Sequence, residues 1–281
     1  GAEVALLARS RPGLEVAAQA ARRYGGQAHV VPADVSDRPA LEAAVEEAVA
    51  RLGGLDVLVS NHAGMVFGNF ADVAPEDFDR TIEVTLIGVA NAIRAALPHL
   101  ERSGGNIVVT GSIMATVPLP TFASYVAAKH GVRGLVASLR LELRRNRSPV
   151  SISMIHPGAI DTPLWRNLSS AGRYVPRRPP DLYSPEAIAR ALVAAAIRPR
   201  AEFTVGGSAR VVQLGWSLLR PVAEQVLALV SRYYLSGRHP APRVGLLRGP
   251  VGDGRASGGF HGRPSLWAWL RLGRPYRQGR R

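Results

Sequence analysis

The chain of 281 residues contains no cysteine, and that single absence excludes a disulfide framework, a thiol nucleophile, an iron–sulfur cluster and a thiolate zinc site. It contains one lysine, Lys129, beside 34 arginines. Where diffuse positive charge is all that is needed this chain uses Arg, so the lone ammonium marks a place where a compact, titratable cation is required. Acidic residues are also scarce, 21 against 35 basic ones, for a net charge of +14. Long apolar runs are missing as well. The longest candidate, Val211 to Val230, is broken by Arg220, Pro221 and Glu224, short of the ~20 apolar residues a spanning helix needs. The seven His show no paired ligand spacing, so no metal site is expected.

What is present is enough apolar chain, 47%, for a buried core. The excess charge is uneven: residues 1–202 carry a net +3, whereas residues 203–281, with 13 arginines and two acids, carry +11. That second part also holds 13 Gly and six Pro in 79 residues, a composition closer to an appendage than to a core. The reading therefore divides the chain into a main domain, 1–207, and an irregular basic extension, 208–281, partly helical at 211–235.

Within the main domain short apolar runs alternate with helix-period segments. The runs are Val4 to Ala8, His29 to Pro32, Leu55 to Ser60, Asn106 to Thr110, Val150 to His156 and Glu202 to Val205. Between them lie Leu14 to Tyr24, Ala40 to Leu52, Phe78 to Leu100, Ala123 to Arg145 and Glu186 to Ile197. Continuous apolar strands alternating with helices imply parallel crossovers and strands buried on both faces. The expected class is α/β, a doubly wound parallel sheet. Ser184-Pro185-Glu186 supplies an N-cap, a first-turn proline and an acid for one helix; Pro98 and Gly104-Gly105 are read as closing another.

Tyr125 and Lys129 stand at i and i+4, where helical side chains converge. A phenol titrates near ~10, and an adjacent cation favours the phenolate, so the pair reads as a proton donor and its tuner, with the expectation of a lowered phenol pKa. The ammonium can also hold a ribose hydroxyl. An ordinary surface Tyr beside a solvated Lys gives the same spacing, but with seven Tyr in the chain a chance placement of the one Lys four residues after a Tyr is rare. Ser112 follows a strand at the end that faces the ligand crevice of such sheets, in reach of a substrate oxygen; a loop-capping Ser is the alternative. Asn61-His62-Ala63-Gly64 follows another strand, with small residues that let backbone approach a ligand and an Asn able to bridge strands. Asp34-Val35 offers an acceptor for an adenine amino group, or a helix cap. In the loop from His156 to Thr162 exposed amides can hold a carboxamide. A plain turn is equally compatible with the last three.

Together Asn61, Ala63 and Gly64, Ser112, Tyr125 with Lys129, and Pro157, Gly158 and Thr162 resemble the short-chain dehydrogenase/reductase family in its single-domain, Rossmann-like form. The resemblance covers about residues 1–207. It implies Tyr125 exchanging the substrate proton, Lys129 tuning it and binding the nicotinamide ribose, Ser112 orienting the reacting oxygen and hydride coming from the cofactor. It places a substrate lid at Pro163 to Ser184, whose Leu164, Trp165, Tyr174 and Tyr183 suit a lipophilic alcohol or ketone. Arg9, after Ala8 at the end of the first strand, suits a 2′-phosphate, so the expected cofactor is NADP rather than NAD. Thr85 stands where the family has an Asn in a proton relay, which implies slower exchange. The family's glycine-rich phosphate loop, with its strand and helix, is not in the sequence, so the domain reads as truncated at its amino end.

Other expectations follow. Homo-oligomers pair through Phe78 to Leu100 and Ala123 to Arg145. No nucleic-acid partner is expected, since no recognised motif is present. The protein is expected to be cytoplasmic, with peripheral membrane contact through its basic, aromatic tail, including Trp216, Tyr233, Tyr234, Trp267 and Trp269. A noncatalytic dinucleotide-fold binding protein and a peripheral membrane protein acting through its tail remain the two alternatives.

Overall fold

The computed structural model describes residues 2–171, 174–175, 182–234, 237–238, 245–249 and 257–259. Trp267 and Trp269 lie outside them. In chain order the elements are β1 (Val4–Ala8), α1 (Arg11–Arg23), β2 (Ala28–Pro32), α2 (Arg38–Leu52), β3 (Val57–Ser60), β4 (Val66–Phe67), α3 (Pro75–Ile82), α4 (Gly88–Ser103), β5 (Asn106–Thr110) and α5 (Ala123–Arg145). They continue with β6 (Ser151–Pro157), α6 (Leu164–Asn167), β7 (Ser169–Ser170), β8 (Tyr174–Val175), α7 (Pro185–Ile197), β9 (Glu202–Val205), α8 (Gly207–Leu218), α9 (Arg220–Tyr234) and β10 (Gly237–Arg238).

All pairings among the six main strands are parallel, as alternating strands and helices require. They form two sheets rather than one: β1 pairs with β2, and β3-β5-β6-β9 form the other. Among the described residues β1 and β3 therefore each have a single strand neighbour. This is why the expectation of strands buried on both sides holds for β5 and β6 but not for β1 and β3, which are only half covered. The short β4 and β7 pair in parallel, and β8 and β10 antiparallel.

Strand alternation assigns each face its helices. Ile107, Val109, Ile152 and Met154 pack with Val89, Ile93 and Leu100 of α4 and Val132 and Val136 of α5. Val108 and Ile155 turn the other way, onto Ile188 and Ala195 of α7. Val31 meets Leu41 and Val45 of α2, whereas Ala28 and Val30 meet Leu14 and Ala18 of α1. Helices on both faces make the architecture doubly wound and Rossmann-like.

Local chemistry sets the helix ends. Ser10, Asp37 and Ser184 each accept a hydrogen bond from a first-turn amide, and Pro12, Pro39 and Pro185 occupy first-turn positions where no amide bond is lost. Several boundaries shift by one to three residues from expectation, and three differences bear on the architecture. Pro98 lies inside α4, which runs on to a left-handed Gly104, because Pro98 faces solvent and the carbonyl it leaves free can be hydrated. The helix expected from Phe78 starts three residues earlier and passes through a wide π turn at Glu83–Ile87. The run Pro75–Ser103 is long and apolar enough to cross a membrane, yet half of its most apolar window is buried, as befits a core helix. In the extension, the stretch expected to form one or two helices around Pro221 is two helices, and they part at Leu219.

Candidate active site

The carboxyl ends of β3, β5 and β6 open toward one crevice, where such sheets bind ligands. Chain leaves β5 through Gly111, where a Cβ would stand 2.7 Å from the His156 ring, so only glycine lets the strand pass so close to β6. Ser112 follows, its hydroxyl accepting from the Met114 amide at 3.1 Å to start a short 3-10 turn. That turn packs on α5, whose buried face carries Tyr125 and Lys129.

The lysine is almost fully covered, at 2% exposure, and donates from Nζ to the Thr110 carbonyl at 2.7 Å. Nζ lies 5.7 Å from the centre of the Tyr125 ring. Burial lowers its pKa from 10.5 to about 8, so the ammonium sits near its titration point at working pH. Burial also governs Tyr125, and here the expected lowering is reversed: desolvation pushes the phenol up to about 12, only partly offset by its hydrogen bond with Ser112. The phenol is thus held protonated, as a donor. Met65, Phe67, Phe122 and Leu168 pack around its ring.

Sequence reasoning gave His156 no role. It is fully buried in β6, with Nδ1 2.9 Å from the Ser112 carbonyl and Nε2 2.8 Å from Glu202 Oε1, which Arg133 also holds at 2.6 Å. Burial lowers the His156 pKa, against the opposing pull of the Ser112 carbonyl and Glu202. Burial raises that of Glu202, but Arg133 and His156 outweigh it and leave it lowered. The chain Arg133–Glu202–His156 fixes the backbone of Ser112. Its only signal in sequence was a histidine ending an otherwise apolar strand.

Thr85, fully buried in the π turn, donates to the Gly64 carbonyl at 2.8 Å and accepts from the Gly64 amide at 2.9 Å. Through these two bonds its hydroxyl clamps the loop after β3. Asn61 and Ala63 of that loop are exposed, and among the described residues β3 has a strand neighbour on one side alone, so Asn61 has no second strand to bridge to there. Gly64 is packed on a segment of the extension: a Cβ there would stand 2.8 Å from Leu247, itself buried. The same segment reaches Arg9, whose guanidinium donates to the carbonyls of Leu246 at 2.5 Å, Gly249 at 3.4 Å and Leu247 at 3.5 Å.

The remaining sites are also engaged internally. Asp34 accepts from the Ser36 amide and hydroxyl and from Arg80 at 2.6 Å. Burial alone would raise its pKa, but these partners leave it lowered. Val35 instead accepts, through its carbonyl, from Asn91 at 3.1 Å. After Pro157 the Gly158 amide donates to Val205, and the Thr162 amide to Ile160, so these two are not the exposed donors anticipated for a carboxamide. In the lid, Tyr183 packs on Gly158 and Gly206.

Three buried polar atoms at the crevice have no hydrogen-bond partner among the described residues: Ser60 Oγ at the end of β3, His62 Nε2, and Thr110 Oγ1 at the end of β5. Burying such groups unpaired is costly, and their cluster beside Lys129 fits a polar ligand such as a nicotinamide ribose. Burial takes the His62 pKa down to about 4, so this imidazole is neutral and able to donate or accept. Among the described residues no group of three or more His, Asp or Glu is placed to hold a metal.

A short chain dehydrogenase family model matches residues 1–172. An oxidoreductase of Bacillus subtilis, YxnA, is 28% identical over 96% of this chain and 76% of its own length. A (-)-trans-carveol dehydrogenase of Rhodococcus erythropolis is 38% identical over 55% of this chain and 56% of its own. The solved alcohol dehydrogenase of the archaeon Thermococcus sibiricus, complexed with 5-hydroxy-NADP, superposes with a TM-score of 0.62 at 29% identity, covering 72% of this chain and 84% of that one. With the match running from β1 through β7 and including the buried Tyr125–Lys129 pair, the chain belongs to the short-chain dehydrogenase family and is an NAD(P)-dependent oxidoreductase.

Proposed function

We propose that the protein interconverts a lipophilic ketone and its secondary alcohol with NADP as cofactor. The observation that carries this reading is the convergence of Ser112, Tyr125 and Lys129 at the end of β5, with a phenol held protonated beside a buried cation. A bound nicotinamide dinucleotide supplies the hydride. The Ser112 hydroxyl orients the substrate oxygen, Tyr125 Oη delivers its proton to that oxygen, and Lys129 stabilises the phenolate that remains while holding the ribose. Thr85 keeps the Asn61, Ala63 and Gly64 loop against the cofactor. Asp34 and Val35 border the adenine, and Pro157, Gly158 and Thr162 border the carboxamide side. Arg9 favours NADP, exchanging tail carbonyls for a 2′-phosphate, and the NADP analogue bound by the archaeal relative supports the same choice. The carveol dehydrogenase name, with Leu164 and Trp165 in the lid, supports a lipophilic cyclic alcohol or ketone. We place the protein in the cytoplasm, as a homo-oligomer paired through the helical run Pro75–Ser103 and α5.

Initial rates over a panel of cyclic ketones and alcohols between pH 6 and 10 test this. NADPH is expected to give at least tenfold higher kcat/KM than NADH. Ketone reduction should fall above about pH 8, as Lys129 loses the proton with which it stabilises the phenolate left by the transfer. Preference for NADH, or no turnover across the panel, overturns the proposal.

A further inference from the structure

Helices α8 and α9 leave an aliphatic surface uncovered. On α8, Val211, Leu214 and Leu218 recur at i, i+3 and i+7, and on α9 Val222, Val226 and Leu229 recur at i, i+4 and i+7, so each helix presents one apolar stripe. All six are more than half exposed, Leu218 at 76%. Leu219, at the break between the helices, is also more than half exposed. Soluble chains rarely leave so many aliphatic side chains together in water.

The charge around the patch selects its occupant. Arg210 and Arg232 flank the stripes in helical projection. The one acid of the two helices, Glu224, is paired with Arg220 at 3.0 Å, and Arg220 also lies over the Trp216 ring at 5.2 Å. The sequence beyond α9 adds ten further arginines and a single acid. A second copy of the chain would bring the same positive charge against itself. An anionic bilayer accepts both features, aliphatic side chains at the acyl boundary and guanidinium groups at the headgroups, and it needs no shaped pocket.

We propose that α8 and α9 dock the protein on anionic lipid, lying in the plane of the interface. The buried side of α8, away from the stripe, packs on the main domain: Ser208 meets the Tyr183 hydroxyl at 3.1 Å, and Ala209 is buried beside Gly158. The inference does not depend on the reading of the catalytic centre, since association is measured without turnover.

Flotation of the full chain with vesicles of phosphatidylcholine containing 30% phosphatidylglycerol, against phosphatidylcholine alone, tests it. The chain should float with the anionic vesicles and be largely released by about 0.5 M salt. The double variant Leu214→Asp with Val226→Asp should lose at least tenfold in partitioning. It should keep the native circular dichroism spectrum and the solution activity, because both positions are exposed. Equal flotation on neutral lipid, undiminished flotation of the variant, or no flotation at all overturns the proposal. So does a dimer of the native chain in sedimentation that the variant abolishes, because the face is then a contact between copies.

Discussion

Replacing Tyr125 by Phe is expected to lower kcat/KM for ketone reduction by about 10²- to 10⁴-fold, the range a positioned general acid contributes. The ring would keep its packing against Met65, Phe67, Phe122 and Leu168, so the crevice keeps its shape. What goes is the Oη proton and its hydrogen bond with Ser112, worth on the order of 1 kcal/mol of stability. The dissociation constant of NADPH, followed by fluorescence, should stay nearly unchanged, because the phenol acts on the substrate oxygen. A variant retaining activity within threefold would remove the phenol from the chemistry and with it the proposed mechanism.

Lys129→Met separates catalysis from stability in the opposite direction. Burial costs the ammonium: its pKa stands at about 8 in the folded protein against 10.5 ordinarily, a penalty on the order of 3 kcal/mol at pH 7. Methionine fills similar space without a charge, and forgoes the hydrogen bond to Thr110, worth roughly 1 to 3 kcal/mol. The expected result is a melting temperature at pH 7 equal to the parent's or a few degrees higher, with activity reduced at least 10²-fold. Between about pH 8 and 10.5 the unfolded lysine holds its proton and the folded one does not, so the parent gains stability as pH rises through this window. The variant lacks this gain, and its advantage at pH 7 should vanish by pH 10.5. Thermal unfolding of both proteins at several pH values reads this; a variant less stable at every pH would make Lys129 a keystone of packing instead.

These two residues show what a sequence can carry. A helix imposes i, i+4 convergence, so Tyr125 and Lys129 were bound to share a face once α5 was recognised, and the alternation of apolar runs with helix-period segments was enough for the parallel α/β class. The phenol's acidity was not legible, because it depends on how completely neighbours from elsewhere in the chain exclude water, and that exclusion outweighs the hydrogen bond with Ser112. Nor was the support of Ser112 legible: His156 and Glu202 stand 46 residues apart and meet through the pairing of β6 with β9. The clamp of Thr85 on Gly64 was not legible either, since nothing local in Thr85-Leu86-Ile87-Gly88 marks that contact. The partners of Arg9 are more distant still, some 240 residues along the chain.

The division of the strands into two sheets bears on how the protein breathes. Among the described residues no backbone ladder joins the β1–β2 pair to the rest; α2 against α4, with the bonds from Arg38 to Asn91, Asn91 to Val35 and Arg80 to Asp34, links them. Side-chain linkage of this kind allows one unit to open without the other, so amide protons of β1 and β2 should exchange with solvent sooner than those of β5 and β6, which have a strand on either side. Arg9 belongs to the first unit and Lys129 to the second. A dinucleotide held by both would act as a staple across the seam, spending part of its affinity on quieting the motion, and slowed exchange in β1 and β2 upon NADPH addition would report it.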